Sequence, residues 1–227
     1  MQISNQNNSV NFTSKPLHFV NLKKLTNGAE DGFIKAVVSE LDATDKIDTD
    51  AIEKLNVAWN NRSGLVHWFC QDFLAKANAS AQYFVIEKPG STNLVDKIVG
   101  LLQIYPQKNF VTKRDNLILS TLATKSEFSS KNTERGMKNI GEALLGETFN
   151  SAKEKNIADV KIYATKSNCG FYSNFFKNAG LSEAEFGNPT EENLYTLVIK
   201  EKNFDKCIKY YQNKFCSDTL PQFKLKA

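Results

Sequence analysis

Three short apolar runs follow one another with little between them: AQYFVIEK (81–88), DKIVGLLQIY (96–105) and NLILSTLAT (116–124). Each is rich in β-branched and aromatic residues, and PGSTN separates the first two, so each is expected to be a strand. Connections this short join antiparallel neighbours. The period then changes. NIGEALLGETFNSAKEKN places Ile140, Leu144, Thr148 and Ala152 on one helical face, and ADVKIYAT (158–165) alternates, with Val160, Ile162 and Ala164 on one side. A strand, a helix and a strand in that order make 116–124 and 158–165 parallel, joined by a right-handed crossover. GFYSNFFKNAG (170–180) reads as a short aromatic helix closed by Gly180, and NLYTLVIK (193–200) as a last strand. The expected class is α/β, with a mixed, mostly antiparallel central sheet flanked by helices.

Upstream, LHFVNLKKL (17–25) reads as a strand. DGFIKAVVSELDA reads as a helix, from Phe33, Val37 and Leu41 at i, i+4 and i+8. The long stretch from Asp48 to Ala79 reads as helical, with a break at Ser63-Gly64 and an N-cap from Asp48, Thr49 or Asp50. Residues 1–16 are a polar, Asn-rich lead-in, 17–200 form one domain, and 201–227 hold an amphipathic helix and tail. That helix, with Phe204, Cys207 or Ile208, Tyr211 and Phe215 on one face, either docks on the parent domain or meets a partner, a homodimer among them.

Composition narrows the function classes. The net charge of +4 and pI near 8.7 permit an anionic ligand, but the lysines and arginines form no cluster of the kind that nucleic acid requires. No apolar run approaches the ~20 residues of a membrane span. The four cysteines (Cys70, Cys169, Cys207 and Cys216) form no CxxC pair and lie far in sequence from His18 and His67. No metal site is expected, and a reducing, cytoplasmic location is.

The stretch TERGMKNIGEALL (133–145) carries the chemistry. It runs from a strand and loop into a helix that starts without a capping serine or aspartate. One reading is an ordinary helix start. The other is an anion held by the free amides and dipole of the helix end, with Gly141 and Ala143 small enough to let it approach.

The order of elements and two motifs resemble the GNAT superfamily of acyl-CoA-dependent N-acyltransferases. TLATKSEF stands at the family's strand end, and RGMKNIGEALL stands at its pyrophosphate loop. SNCGFYSNFFKNAGL stands at its N-x-x-A-x-x-(F/L)-Y-x-x-x-G-F motif. The resemblance implies acetyl-CoA, held by the backbone of Leu122, Ala123 and Thr124 and by Gly136, Met137, Lys138, Asn139, Gly141 and Glu142. Asn168 is implied on the pantetheine arm. Arg135 and Lys138 are placed to add charge-assisted contacts to phosphate. The implied acceptor is a primary amine on a small molecule or protein, attacking the thioester directly.

The chain departs from the family in four places. SSKNTERG reads as an insertion, Gly136 stands at the family's Gln/Arg position, Asn139 replaces the first motif glycine, and Phe176 stands where the family has a tyrosine. Either Tyr172, one helical turn earlier, protonates the leaving thiolate, or no tyrosine does. Glu87, Asp115 and Glu127 are the carboxylates weighed as general base, each against a surface role, and His67 is weighed as a lining residue of the acceptor cleft. The competing functions are a catalytically degenerate acyl-CoA-binding or interaction module and, on charge alone, a nucleic-acid binder.

Overall fold

The computed structural model describes residues 15–59, 64–90, 94–110, 113–128, 136–186 and 194–216. Arg135, most of SSKNTERG, most of the N-terminal lead-in and the tail after Cys216 lie outside them. The elements run β1 (Lys15–Thr26), β2 (Ala29–Glu40), α1 (Lys46–Trp59), α2 (Gly64–Leu74), β3 (Gln82–Glu87) and α3 (Leu94–Lys97). They continue with β4 (Ile98–Gln107), β5 (Asn116–Thr124), β6 (Met137–Lys138) and α4 (Ile140–Glu154). The chain ends with β7 (Asp159–Thr165), α5 (Lys166–Asn178), β8 (Leu194–Lys200) and α6 (Phe204–Phe215). One eight-stranded sheet collects the strands in the order β6-β1-β2-β3-β4-β5-β7-β8. All pairs are antiparallel except β5 with β7. The class is the expected one.

The helix expected over DGFIKAVVSELDA is instead the strand β2. Asn27 and Gly28 both hold positive φ (51° and 79°) and form a two-residue turn that folds β2 back on β1 in register from Thr26↔Ala29 to Lys15↔Glu40. Such a turn matches the twist of a hairpin and requires residues that tolerate positive φ. In the strand, Ala36 and Val38 point into the core, fully buried, while Phe33 is 63% exposed. The helix N-cap also moves: Asp45 accepts from the backbone N–H of Ile47 (2.7 Å) and Asp48 (3.4 Å) at the start of α1.

Two apolar layers cover the two faces. Helices α1 and α2 lay Ile52, Leu55, Phe69 and Phe73 on Tyr83, Val85 and Leu101. On the other face α4, α5 and α6 lay Leu144, Phe149, Phe175, Phe176 and Tyr211 on Phe84, Ile86, Leu102 and Ile162. Burial of each such side chain contributes about 1.5–3 kcal/mol before entropy is subtracted.

α4 lies centrally because glycines let it come close. A Cβ on Gly100 of β4 would stand 2.5 Å from Ile140 Cγ2 and 2.8 Å from Leu144 Cδ1. α6 docks on α4, burying Phe204, Cys207, Tyr211 and Phe215. Among the described residues no helix is long and apolar enough to cross a membrane.

Candidate active site at a fork in the sheet

β5 and β7 pair only from Asn116↔Asp159 to Leu119↔Ile162. Beyond that point β5 continues along β4 as far as Thr124↔Gly100, and β7 continues along β8 as far as Thr165↔Leu194. The two parallel strands therefore diverge, and their facing backbone edges from Ser120 and Tyr163 onward have no ladder partner in each other. An irregularity at Ser120, between the pairs Gln103↔Thr121 and Ile104↔Leu119, starts the divergence. Bulges of this kind bend a strand and end its pairing.

The fifteen-residue helix α4 begins beside the open end of this fork. Its N-cap Asn139 sits in the left-handed region (φ 74°, ψ 11°) with no side-chain cap. Asn is among the few residues that tolerate this conformation. The first helical bond is Ala143 N–H to Asn139 C=O, 3.0 Å. The amides of Ile140, Gly141 and Glu142 thus precede any intrahelical partner and present the positive end of the helix dipole.

No protein-family model matches the chain, and no curated relative does. Solved structures do resemble it. An aminoglycoside acetyltransferase from an uncultured soil metagenomic sample shares 16% identity over 69% of this chain and 93% of its own (TM-score 0.45). The NatC complex bound to Gag peptide and CoA shares 13% over 73% and 98% (TM-score 0.49). The ribosomal-protein-S18-alanine N-acetyltransferase from Escherichia coli shares 15% over 73% and 93% (TM-score 0.45). These likenesses concern the course of the backbone. The single parallel pair, β5 with β7, and the helix that joins its strands are the expected ones; the strand order and the fork are findings of the structure.

The chain is a mixed α/β fold with a mostly antiparallel sheet flanked by helices, the class that the sequence resemblance implied.

Within this fold the expected site residues divide. Thr124 and Gly141 come together: a Cβ on Gly141 would lie 3.8 Å from Thr124 Cγ2 and 3.2 Å from Phe171 Cζ. Phe171, indistinguishable in sequence from its core-forming aromatic neighbours, is 36% exposed and forms a wall here. Leu122 and Ala123 lie on the β5 arm of the fork, each half-buried. Asn168 is exposed in the first turn of α5.

Gly136, Met137 and Lys138 are engaged differently from a bare phosphate loop. Leu25 N–H donates to Gly136 C=O (2.9 Å), Met137 and Lys138 pair with β1, and the Met137 side chain is buried. The Lys138 ammonium is already held by Glu30, which also accepts from Lys23 at 2.6 Å. These hydrogen bonds, Lys138 first, pull the Glu30 carboxyl down to about 2. Glu142, in the first turn of α4, is paired with Lys214 of α6, whose Nζ also reaches Tyr210 Oη at 2.7 Å. The C-terminal helix thereby neutralises the carboxylate nearest the helix end.

Tyr172 is 7% exposed, and its ring meets Phe171 edge-on at 5.1 Å. Burial pushes its phenol up to about 12. Phe176 is fully buried among Phe149, Phe175 and Phe186 and packs the core.

The three carboxylates separate by position. Asp115 precedes β5, at the end of the sheet away from the fork's opening. Glu127 pairs with Lys125 at 3.2 Å. Glu87 is not a surface group: it is 7% exposed, accepts from Ser39 Oγ at 2.9 Å, and burial raises it to about 7. It closes β3, which runs parallel to β5 one strand removed, so it stands at the fork's open end. His67 is half-buried on α2, its ring edge-on to Trp68 at 6.1 Å.

The raised Glu87 pKa has a measurable consequence. Between 4.5 and about 7 the folded chain holds this proton and the unfolded chain releases it. The stability this group contributes is therefore fully present below 4.5 and is lost as pH rises through about 7. The loss is about 3 kcal/mol at pH 8. Glu87→Gln is expected to be more stable than the wild type in urea at pH 8 and equal to it at pH 4.5. An equal difference at both pH values would contradict this.

A second polar cluster lies under α6, away from the fork. His18 Nε2 meets Tyr211 Oη at 2.5 Å and Glu147 Oε2 at 3.4 Å, and Asn150 donates to Glu147 at 3.1 Å. Burial lowers His18 to about 4 and raises Glu147 to about 7.

Proposed function

We propose that the chain is an N-acyltransferase that moves an acetyl group from acetyl-CoA to a primary amine of a small molecule or protein. The observation that carries this is the fork between β5 and β7 with the uncapped start of α4 beside its open end. The residues present fit the group. Asn139 opens α4 without a side-chain cap, so the amides of Ile140, Gly141 and Glu142 lack intrahelical partners, and Lys214 pairs with the Glu142 carboxylate, which would otherwise repel phosphate. In this reading Asn139, Gly141 and Glu142 hold the pyrophosphate by backbone, and Gly136, Met137 and Lys138, paired with β1, anchor the approach to them. The free edge at Leu122, Ala123 and Thr124 holds the pantetheine arm, with Asn168 at its side.

Bound acetyl-CoA supplies a thioester whose carbonyl carbon the amine attacks, with C–N bond formation and C–S cleavage. The chain contributes alignment of the two reactants and donors toward the carbonyl oxygen. It also moves two protons. Glu87, which exchanges its proton near neutrality, takes one from the amine through water. Tyr172, which stays protonated well above neutrality, gives one to the departing sulfur. The four thiols are all free, in keeping with a reducing cytoplasmic location.

Tyr172→Phe is expected to lower kcat at least tenfold with acetyl-CoA affinity unchanged. An unaltered kcat would make Tyr172 a packing residue. A second reading, an acyl-CoA-binding module without turnover, draws on the burial of Tyr172 and on the Phe171 ring against Gly141. Release of CoA thiol in the presence of a panel of primary amines separates the two. Turnover with any amine supports the transferase, and acetyl-CoA binding without thiol release on every amine supports the module.

A further inference from the structure

The face of the sheet that carries α1 and α2 is not covered along its whole width. Tyr163 of β7 is 47% exposed, and it is the first residue of β7 past the last β5–β7 pair. It shares a strand face with Lys161, opposite the buried Val160, Ile162 and Ala164. Beside this border, under α2, a row of polar groups crosses the sheet. Tyr83, Gln103 and Thr121 are cross-strand neighbours on β3, β4 and β5, all buried. Thr121 Oγ1 donates to Gln103 Oε1 at 3.3 Å, and Gln103 Nε2 donates to Asp72 Oδ2 of α2 at 3.0 Å. The chain Asp72–Gln103–Thr121 therefore runs from α2 to the first residues of the fork.

Asp72 is half-buried and has no ion-pair partner among the described residues. Its surroundings are aromatic instead. Tyr105, two residues beyond Gln103 on the same face, has its phenol raised by burial and then by the nearby Tyr163 and Asp72. Trp68 and Leu65 stand four and seven residues before Asp72 on α2, hence on the same helical face, and are 65% and 47% exposed. A carboxylate held by a buried amide and bordered by rings suits one ammonium group attached to an apolar body. Lys161 on the same sheet face opposes a second positive charge.

We propose that Asp72 holds the acceptor's ammonium group beside the fork, and that the acceptor is a monoamine with an aromatic body. The inference rests on the transferase reading for the fate of the bound amine, but the site itself is tested without it. Titration calorimetry on the full chain with phenethylamine, and with its neutral analogue 2-phenylethanol, reads the site directly. Wild type is expected to bind phenethylamine at least tenfold more tightly than 2-phenylethanol or spermidine. Asp72→Asn, which keeps shape and can still meet Gln103, is expected to weaken phenethylamine at least tenfold and leave the melting temperature unchanged. Equal affinity for amine and alcohol, equal affinity in the variant, or no amine binding would each overturn the proposal. The melting shift with acetyl-CoA, taken on the same samples, distinguishes the two readings. A shift without amine binding removes only the amine site. Amine binding without a shift leaves that site standing and removes the transferase.

Discussion

Gly146→Ala is expected to destabilise the protein by about 2 kcal/mol or more, although it replaces glycine by the best helix former in the middle of a helix. Propensity alone predicts a gain of about 1 kcal/mol from this change. Packing reverses the sign. The Cβ of residue 146 would overlap Tyr211 Cδ2 and Cγ and stand 2.8 Å from Tyr211 Cβ. Tyr211 is fully buried and cannot swing aside, since its hydroxyl meets His18 and its ring packs on Phe215 at 5.7 Å. Overpacking in such a place typically costs about 1–3 kcal/mol or more. The helix α6 must move as a body, loosening Phe204, Cys207 and Phe215 from α4. For a chain of this size the melting temperature falls by roughly 2–4 °C per kcal/mol. A melting temperature at or above that of the wild type would show that α6 is not seated on Gly146. The same displacement draws Lys214 away from Glu142, so a second readout of the variant is weaker acetyl-CoA binding.

Gly141→Glu is expected to weaken CoA binding at least a hundredfold while the fold survives. Gly141 is half-buried and faces Phe171 and Thr124 across a gap that a single Cβ already fills. A carboxylate there adds bulk where the ligand would approach, and negative charge at the helix end proposed to hold pyrophosphate. Gly141→Ala is the control for shape. Its tight contacts are with the far edge of the Phe171 ring, at 3.2 and 3.4 Å, a partly exposed ring that can give, while Thr124 Cγ2 stands at an ordinary 3.8 Å. Calorimetry with CoA on both variants is decisive: a retained affinity in Gly141→Glu would mean that the start of α4 does not meet the ligand.

Much of this arrangement is legible in the sequence because it is local. The meander β3–β4–β5 announces itself by short turns between β-branched runs. The parallel pair follows from a strand, helix and strand in succession, and the left-handed Asn139 from an amide residue where the helix has no cap. β2 reads as a helix because Phe33, Val37 and Leu41 satisfy two periods at once: four apart, they share a helical face, and being all odd, they also share a strand face. The Asn27-Gly28 turn breaks that tie, and the burial of Ala36 and Val38 on the other face confirms the strand. β6 has only two residues, and its existence depends on the free edge of β1. The pairing of Lys138 with Glu30 joins residues 108 apart, and that of Lys214 with Glu142 joins residues 72 apart. No pattern in the sequence links them. Asp72 is equally unmarked, since nothing around it in sequence signals a carboxylate that reaches a glutamine two strands later.

A melting curve of the purified chain with and without millimolar acetyl-CoA tests most directly whether the start of α4 holds this cofactor. A ligand present at ~100 times its dissociation constant stabilises by about 2.7 kcal/mol. A rise of several degrees is expected for the wild type and none for Gly141→Glu. An unchanged melting temperature in the wild type would contradict the transferase reading, leaving a mixed α/β fold whose helix start serves some other ligand than acetyl-CoA.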